Sequence, residues 1–123
     1  MKKLFIAAFM FVSTFTSNVF ADGHAIKMGI ILGFTGPIES LTPAMRDSAK
    51  LAFSEASSSG SLLGGKKITV IEGDSTCVDS AAAQAAAEKL VADGVVAIMG
   101  ADCSGVTGAI ASNVAVPNGV AMI

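Results

Sequence analysis

The fold of this chain is decided by the stretch IKMGIILGFTGP, residues 26–37. It opens with a nearly continuous apolar run, which is typical of a strand buried on both faces of a parallel sheet. The segment 33–37 then ends the run with a loop. Thr42 and Pro43 predict the start of a helix, with Thr42 as its N-cap and Pro43 at its first position. We therefore expect a strand, a loop and a helix in this order.

The predicted first helix has apolar residues at helical spacing, which indicates one buried stripe along its length. The residues of this stripe are Met45, Ala49, Ala52, Phe53 and Ala56. A run of serines ending in a glycine, residues 57–60, follows the stripe and is expected to end the helix.

The order of strand, loop and helix then occurs twice more. The second unit consists of a strand at 67–72, a loop at 73–78 and a helix at 80–92, with Asp79 as N-cap and Gly94 as C-terminal cap. The third unit consists of a strand at 95–99, a loop at 100–105 and a helix from 106 to roughly 114, and a fourth strand begins after 119. This alternation predicts an α/β fold, in which right-handed crossovers place helices on both faces of a parallel sheet.

The N-terminus has the layout of a secretory signal peptide. Two lysines precede an apolar run at 4–12, and small side chains lead up to Ala21. The apolar run is too short to cross a bilayer. We expect residues 1–21 to be removed, which leaves residues 22–123 in the bacterial periplasm. The residue after the cut is Asp22 and not a lipid-bearing cysteine, so we expect a soluble protein.

Charge and composition argue against several classes of partner. Without the signal peptide, six basic residues stand against ten acidic ones, and the chain has no Trp or Tyr. Such a chain lacks the basic patch that nucleic-acid binding needs. Past the signal peptide, no apolar run approaches the ~20 residues of a membrane-spanning helix. Because the segment 119–123 looks like a strand that is just beginning, we expect residues 22–123 to be one incomplete domain of a longer protein.

Neither a nucleotide site nor a catalytic site is expected. The glycines of the first unit do not have the G-x-G-x-x-G spacing, and turn geometry explains them. His24 is the single histidine, so Cys103 and Ser104 have no positioned base to activate them as nucleophiles. Two cysteines and one histidine do not make a metal site either. We therefore expect no enzymatic activity, no metal and no cofactor.

Cys77 and Cys103 each lie just past the end of a predicted strand, in consecutive units of the sheet. Because the carboxyl ends of parallel strands share one edge, their two loops can be neighbours. A disulfide suits the oxidising compartment and would restrict the unfolded chain by about 3 kcal/mol. Two separate buried thiols are the alternative. Ser104 lies on the same edge, where it either binds an anion such as a carboxylate or only caps its own helix.

Several motifs and their order resemble those of a known family. They are the strand and loop at 26–37, Gly64-Gly65-Lys66-Lys67-Ile68 at the second strand, Asp74-Ser75-Thr76-Cys77 before an alanine-rich helix, and residues 94–100 followed by Cys103-Ser104-Gly105. Together with the signal peptide, this set resembles the type I periplasmic substrate-binding proteins of branched-chain amino acid ABC importers. The resemblance covers essentially all of residues 22–123.

The resemblance implies two α/β lobes joined by a hinge, of which this chain would be the incomplete N-terminal lobe. Such lobes close on an amino acid or a related small organic acid and hand it to an ABC permease in the inner membrane. The resemblance also implies a disulfide between Cys77 and Cys103, and a ligand carboxylate bound at Ser104, with Gly105 beside it. Leu41 stands where family members with amino-acid ligands often have a pocket-lining tyrosine, which weakens the case for branched-chain specificity.

The sequence is also compatible with two other functions. One is a ligand-sensing regulator built on the same fold, which an output domain further along the reading frame would indicate. The other is a secreted α/β enzyme whose catalytic residues lie beyond residue 123. Neighbouring genes for a permease and ATPases would favour the importer.

Overall fold

Residues 25–123 are described by the structure, a computed structural model. Its elements are β1 (Ile26–Leu32), α1 (Thr42–Ser58), β2 (Ile68–Asp74), α2 (Ser80–Ala92), β3 (Ala97–Gly100), α3 (Ser104–Ile110) and β4 (Ala121–Met122). A short 3-10 turn at Leu62–Gly64 precedes β2, and α3 continues as a π-helical segment at Ala111–Ala115. The predicted signal peptide at 1–21 and His24 lie outside the described residues.

The four strands form one parallel sheet in the order β2-β1-β3-β4. The chain moves from β1 to β2 in one direction and from β2 past β1 to β3 in the other. Right-handed crossovers therefore place α1 on one face of the sheet and α2 and α3 on the opposite face. In agreement, α1 packs against β1 and β2, whereas α2 packs against α3. The predicted α/β class, with a parallel sheet and helices on both faces, is confirmed.

The main core lies between the sheet and the two helices α2 and α3. Its buried residues are Ile31, Ala83, Ala87, Leu90, Val95, Ile98, Val106, Ile110 and Val114. Gly29 of β1 faces this core, where a Cβ atom would lie 3.1 Å from Cδ1 of Leu90 and 3.3 Å from Cγ1 of Ile98. The glycine lets α2 lie close to the sheet. Close packing, and not the turn geometry expected from the sequence, explains this glycine.

Helix α1 is much less buried than its sequence predicts. Within the predicted stripe, Met45 is 38% exposed and Ala52 is also exposed, while the other three members are half-buried. The prediction of a buried stripe is wrong because α1 covers only β1 and β2, and β2 is the outermost strand in the described part of the chain. On its outer side, α1 is joined to β2 by an ion pair between Lys50 and Glu72, with 2.8 Å between Nζ and Oε1.

The predicted N-cap of α1 is displaced by one residue. Leu41 is the N-cap and makes no capping bond with its side chain, so the prediction for Thr42 is wrong. Thr42 is the first helical residue and is completely buried. Its hydroxyl donates to the carbonyl oxygens of Gly33 at 3.1 Å and Glu39 at 3.4 Å. The hydroxyl therefore holds the preceding loop to the helix instead of capping the helix.

Helix α2 has the predicted bounds. The Oδ1 atom of its N-cap, Asp79, accepts hydrogen bonds from the N–H groups of Ala81 at 2.9 Å and Ala82 at 3.0 Å. Gly94 follows the helix with a φ of 85°, the left-handed conformation that ends many helices. The alanine-rich sequence and its cap were thus sufficient to define this helix.

Several other predicted bounds are shifted. Strand β2 extends to Asp74, because Gly73 and Asp74 pair with the end of β1. Strand β3 begins only at Ala97, although Val95 already belongs to the core. Helix α3 begins at Ser104, two residues before the predicted start. No helix within residues 25–123 is long and apolar enough to cross a membrane.

Candidate functional site

Three loops meet at the carboxyl edge of the sheet. Loop 1 (residues 33–41) follows β1, loop 2 (75–79) follows β2, and loop 3 (101–103) follows β3. Because β1 lies between β2 and β3, loop 1 is central and the other two flank it. The strand order reverses between β1 and β3, and open α/β sheets bind ligands at such a point, outside the carboxyl ends of the strands. The predicted site residues lie in these loops or directly after one of them: Leu41, Cys77, Cys103, Ser104 and Gly105.

A disulfide joins Cys77 of loop 2 to Cys103 of loop 3, with 5.2 Å between their Cα atoms. Strands β2 and β3 are separated by β1, so they lie about 10 Å apart. The two loops must therefore cross the end of β1 in order to meet. Thr76 and Cys77 have φ angles of 56° and 69°, a conformation that is uncommon for residues other than glycine. The disulfide expected from the sequence is present, and it closes over loop 1.

Two glycines of loop 1 make room for this crossing. A Cβ atom at Gly33 would lie 3.3 Å from Cβ of Cys77 and 3.3 Å from Cγ1 of Ile38. Gly36 has a φ of 98°, and a Cβ atom there would collide with the carbonyl oxygen of Thr76. The turn geometry expected for the glycines of the first unit thus applies to Gly36, and loop 1 lies directly against loop 2.

The carboxylate of Asp102 connects the three loops. Its Oδ2 accepts a hydrogen bond from the N–H of Gly33 at 2.8 Å, and its Oδ1 accepts one from the hydroxyl of Ser75 at 3.3 Å. Ser75 is completely buried, and its own N–H donates to the carbonyl oxygen of Leu32 at 2.9 Å. Both oxygens of this carboxylate are therefore engaged within the loops.

A second carboxylate, that of Asp74, joins loop 1 to loop 2. Its Oδ2 accepts a hydrogen bond from the hydroxyl of Thr35 at 2.7 Å, and its Oδ1 accepts from the N–H groups of Thr76 at 2.8 Å and Thr35 at 3.3 Å. Partial burial raises the pKa of Asp74, but the hydrogen bonds from Thr35 and Thr76 outweigh that effect. The pKa of Asp74 is consequently lowered below its ordinary value of 3.8.

Ser104 and Gly105 form the exposed start of α3. Cys103 is the N-cap and makes no capping bond with its side chain, and Ser104 is the first helical residue. Within residues 25–123, the hydroxyl of Ser104 has no hydrogen-bond partner. The first backbone bond of α3 runs from the N–H of Thr107 to the carbonyl oxygen of Cys103 at 2.9 Å, so the N–H groups before it have no partner in the helix. A Cβ atom at Gly105 would meet nothing within 4 Å, which leaves the backbone there open.

Leu41 lies at the other side of the loops, as the N-cap of α1. Its side chain is 61% exposed, and that of Val78 in loop 2 is 73% exposed. The surface above the sheet edge thus combines a free hydroxyl and open backbone at α3 with exposed aliphatic side chains. Within residues 25–123, no group of three or more His, Cys, Asp or Glu residues could hold a metal ion.

A separate cleft of about 400 Å³ lies between α1 and β2. Its lining includes Lys50, Phe53 and Lys67. It is located towards the amino end of β2, away from the loops. Lys50 is paired with Glu72, and Nζ of Lys67 donates to the carbonyl oxygen of Ser57 at 2.9 Å. The positive charges of this cleft are therefore already engaged.

A comparison with protein families identifies the chain. The sequence profile described as periplasmic binding protein matches residues 25–123. The chain belongs to the periplasmic binding protein family. A comparison with curated proteins gives no match.

Solved structures of this family include proteins that are similar to the chain described here. The branched-chain amino acid binding protein LivJ of Streptococcus pneumoniae, solved in complex with isoleucine, is 30% identical over 80% of this chain and 28% of its own, with a TM-score of 0.71. The leucine binding protein LivK of Thermotoga maritima is 25% identical over 80% of this chain and 27% of its own, with a TM-score of 0.67. An ABC-type branched-chain amino acid transporter protein of Rhodopseudomonas palustris is 28% identical over 79% of this chain and 26% of its own, with a TM-score of 0.68.

These similarities confirm the family to which the sequence motifs pointed. LivJ and LivK are binding proteins, and the Rhodopseudomonas palustris protein is an ABC-type transporter protein. The chain described here spans less than a third of the length of each one. The match extends over the sheet and over the loops at its carboxyl edge, because the family profile covers every residue that the structure describes.

The hydrogen-bond network of the loops was not found from the sequence. Asp74 and Ser75 belong to one of the family motifs, and Asp102 lies two residues before Ser104, but neither fact predicts these hydrogen bonds. A signal was nevertheless present, because both carboxylates stand at or just past the ends of strands that flank β1. Polar side chains in such positions converge on the central loop, here on the N–H groups of Gly33 and Thr35.

Proposed function

We propose that this protein is the solute-binding component of an ABC importer, and that it binds an amino acid or a closely related small organic acid. The observation that carries the proposal is the membership of residues 25–123 in the periplasmic binding protein family. The relatives solved with isoleucine, or named for leucine binding, support an amino acid as the ligand. Residues 22–123 would then be part of the N-terminal lobe of a two-lobe receptor, which acts in the periplasm after removal of residues 1–21.

The loops at the sheet edge supply the chemistry that the proposal needs. A carboxylate accepts hydrogen bonds from hydroxyl and N–H donors, and such bonds to a charged group are stronger than neutral ones. The hydroxyl of Ser104 is exposed, the N–H groups beside it have no partner in the helix, and Gly105 leaves the backbone accessible. We assign the ligand carboxylate to Ser104 and Gly105, and an aliphatic part of the ligand to the side of Leu41.

The proposal is tested on the protein encoded by the complete reading frame. The purified protein is freed of bound solute by partial unfolding and refolding, and is then titrated by calorimetry with the individual amino acids. We expect saturable binding of one or a few of them, and no binding of the corresponding amines, which lack the carboxylate. A protein that binds no amino acid and no small organic acid contradicts the proposal.

Delivery to a permease needs a separate test in cells. A strain without this gene should lose high-affinity uptake of the labelled solute that the purified protein binds, and the intact gene should restore it. Unchanged uptake in the deletion strain, together with tight binding by the purified protein, would favour a sensing role instead of transport.

A further inference from the structure

We infer that Asp102 is a positioning residue for the ligand-binding edge, and that it acts by fixing Ser104 relative to loop 1 without contacting the ligand. The inference rests on the proposed function in so far as Ser104 binds the ligand. Asp102 lies two residues before Ser104, so a carboxylate stands close to the site where another carboxylate would bind. Its charge alone would repel that ligand. The geometry of its hydrogen bonds shows what else it does.

Both oxygens of Asp102 already accept hydrogen bonds from the loops. Its Oδ2 is held by the N–H of Gly33 at 2.8 Å, and its Oδ1 by the hydroxyl of Ser75 at 3.3 Å. Ser75 is completely buried and is itself bound to the end of β1 through its N–H. The carboxylate is therefore directed into the sheet edge, where its charge is compensated by donors of loops 1 and 2.

Loop 3 consists of only three residues between β3 and α3. The hydrogen bonds of the Asp102 carboxylate to Gly33 and Ser75 fix the middle residue of loop 3. The disulfide fixes the last residue, Cys103. From the other side, the hydroxyl of Thr107 donates to the carbonyl oxygens of Ala101 at 3.1 Å and Cys103 at 2.9 Å. Each of the three residues of loop 3 is thus fixed by at least one bond, and Ser104 is the next residue in the chain.

The hydrogen bonds that start at Asp102 also reach the opposite side of the candidate site. Gly33, which donates to Asp102, also accepts a hydrogen bond through its carbonyl oxygen from the buried hydroxyl of Thr42 at 3.1 Å. Thr42 directly follows Leu41. The two candidate ligand positions, Ser104 and Leu41, are therefore connected through Asp102, Gly33 and Thr42. Within residues 25–123, the hydrogen bond between loops 3 and 1 is made by the side chain of Asp102.

The experiment compares two replacements of Asp102 in the protein encoded by the complete reading frame. Asp102→Asn keeps an acceptor for Gly33, and its amide can donate to the oxygen of Ser75. Asp102→Ala removes both bonds. If Asp102 positions Ser104, the Ala variant should bind the amino acid about tenfold more weakly or worse, and the Asn variant should recover most of that loss although it lacks the charge.

Other patterns overturn the inference. Equal weakening in both variants would mean that the charge of Asp102 itself attracts the ligand. Tighter binding in both would mean that the residue only repels it, and unchanged binding would mean that it does not position Ser104. Asp93→Ala is the matched control, because it removes one negative charge next to α2 at the other edge of the sheet and should leave the affinity unchanged.

Amide hydrogen exchange tests the inference without a ligand and separates it from the proposed function. In Asp102→Ala, exchange should increase both at Gly33, which loses its acceptor, and at Thr107, whose N–H closes the first turn of α3. An increase at Gly33 alone would overturn the inference, whether or not the parent binds an amino acid. If Asp102→Ala does not fold, Asp102→Ser, which also lacks the carboxylate to which Gly33 and Ser75 donate, takes its place with the same two amides as readouts.

Discussion

Oγ1 of Thr42 lies 3.1 Å from the carbonyl oxygen of Gly33 and donates a hydrogen bond to it in a completely buried position. The bond joins the first turn of α1 to the first residue after β1. Thr42 is also the only buried residue of α1, whose other side chains are half-buried or exposed. The position of α1 on the sheet therefore depends strongly on this one side chain.

Replacement of Thr42 by valine should destabilise the fold. Valine keeps the shape but leaves the carbonyl oxygen of Gly33 without this donor, and an unsatisfied buried polar group costs about 1–3 kcal/mol. Urea unfolding followed by circular dichroism should show the lower free energy of unfolding. Thr42→Ser is the matched control, since it retains the hydroxyl. If the valine variant is as stable as the parent, the bond does not anchor α1.

Reduction of the Cys77–Cys103 disulfide should also lower the free energy of unfolding, by about 3 kcal/mol, because the bridge restricts the unfolded chain. The effect is measured by urea unfolding with and without a reducing agent. The double variant Cys77→Ala/Cys103→Ala should match the reduced parent and should not respond to the reductant. Non-reducing peptide mapping should give one bridged peptide pair, and two freely alkylatable thiols in the native protein would contradict the assignment.

Much of this architecture could be predicted from the sequence, because local signals and tertiary packing agree there. The alanine-rich segment after Asp79 has both a strong intrinsic preference for helix and a side-chain cap, and α2 has the predicted bounds. The apolar run of β1 identified a strand buried on both faces, and it lies in the interior of the sheet. The place of each cysteine after a strand favoured a disulfide between Cys77 and Cys103 over two separate thiols, and the disulfide is present.

The remainder could not be predicted because it depends on strand order. The spacing of residues along the chain does not show that β1 lies between β2 and β3. It therefore does not predict that Asp102 reaches Gly33, or that the disulfide crosses the end of β1. The apolar positions of α1 suggested a buried stripe. The stripe is partly exposed because α1 packs on β2, which is the outermost strand in the described part of the sheet. The hydroxyl of Thr42 suggested a cap, but a carbonyl oxygen of a neighbouring loop uses it instead.

Acid should destabilise the fold in part through Asp74. Its pKa in the folded state lies below 3.8, because hydrogen bonds from Thr35 and Thr76 outweigh the effect of burial. A lowered carboxyl pKa contributes stability that is fully present above the unfolded pKa and is lost as the pH falls through the folded pKa. Asp74→Asn should therefore be less stable than the parent at neutral pH, and the two stability curves should approach each other in acid.

Thermal melts from about pH 2 to pH 7 measure this effect. The matched control is Glu88→Gln, which neutralises an exposed carboxylate of α2 that makes no hydrogen bond to the loops. This variant controls for the loss of one negative charge. If the curve of Asp74→Asn runs parallel to that of the parent over the whole range, the hydrogen bonds from Thr35 and Thr76 do not stabilise the folded state through this carboxylate.

The mature protein should begin at Asp22. The charged start, the apolar run and the small residues before Ala21 favour cleavage after that residue by signal peptidase. Intact mass spectrometry of the periplasmic fraction should give the mass of a chain without residues 1–21. Ala21→Phe, which places a large side chain next to the cleavage site, should slow the cleavage and leave the precursor in the membrane fraction. An intact Met1 or a lipid-modified terminus in the parent would contradict the prediction.

Ser104→Ala should weaken amino-acid binding by the protein encoded by the complete reading frame. The replacement removes one hydrogen bond to a charged carboxylate, worth about 1.5–3 kcal/mol, which corresponds to roughly 10- to 150-fold in the dissociation constant. Ser80→Ala is a close control, because Ser80 is likewise an exposed serine at the first position of a helix, α2, but does not stand next to loop 3. Calorimetry gives the affinities, and thermal melts check that both variants fold. If Ser104→Ala folds and binds as tightly as Ser80→Ala, the hydroxyl of Ser104 does not hold the ligand, and the carboxylate must be bound by other donors.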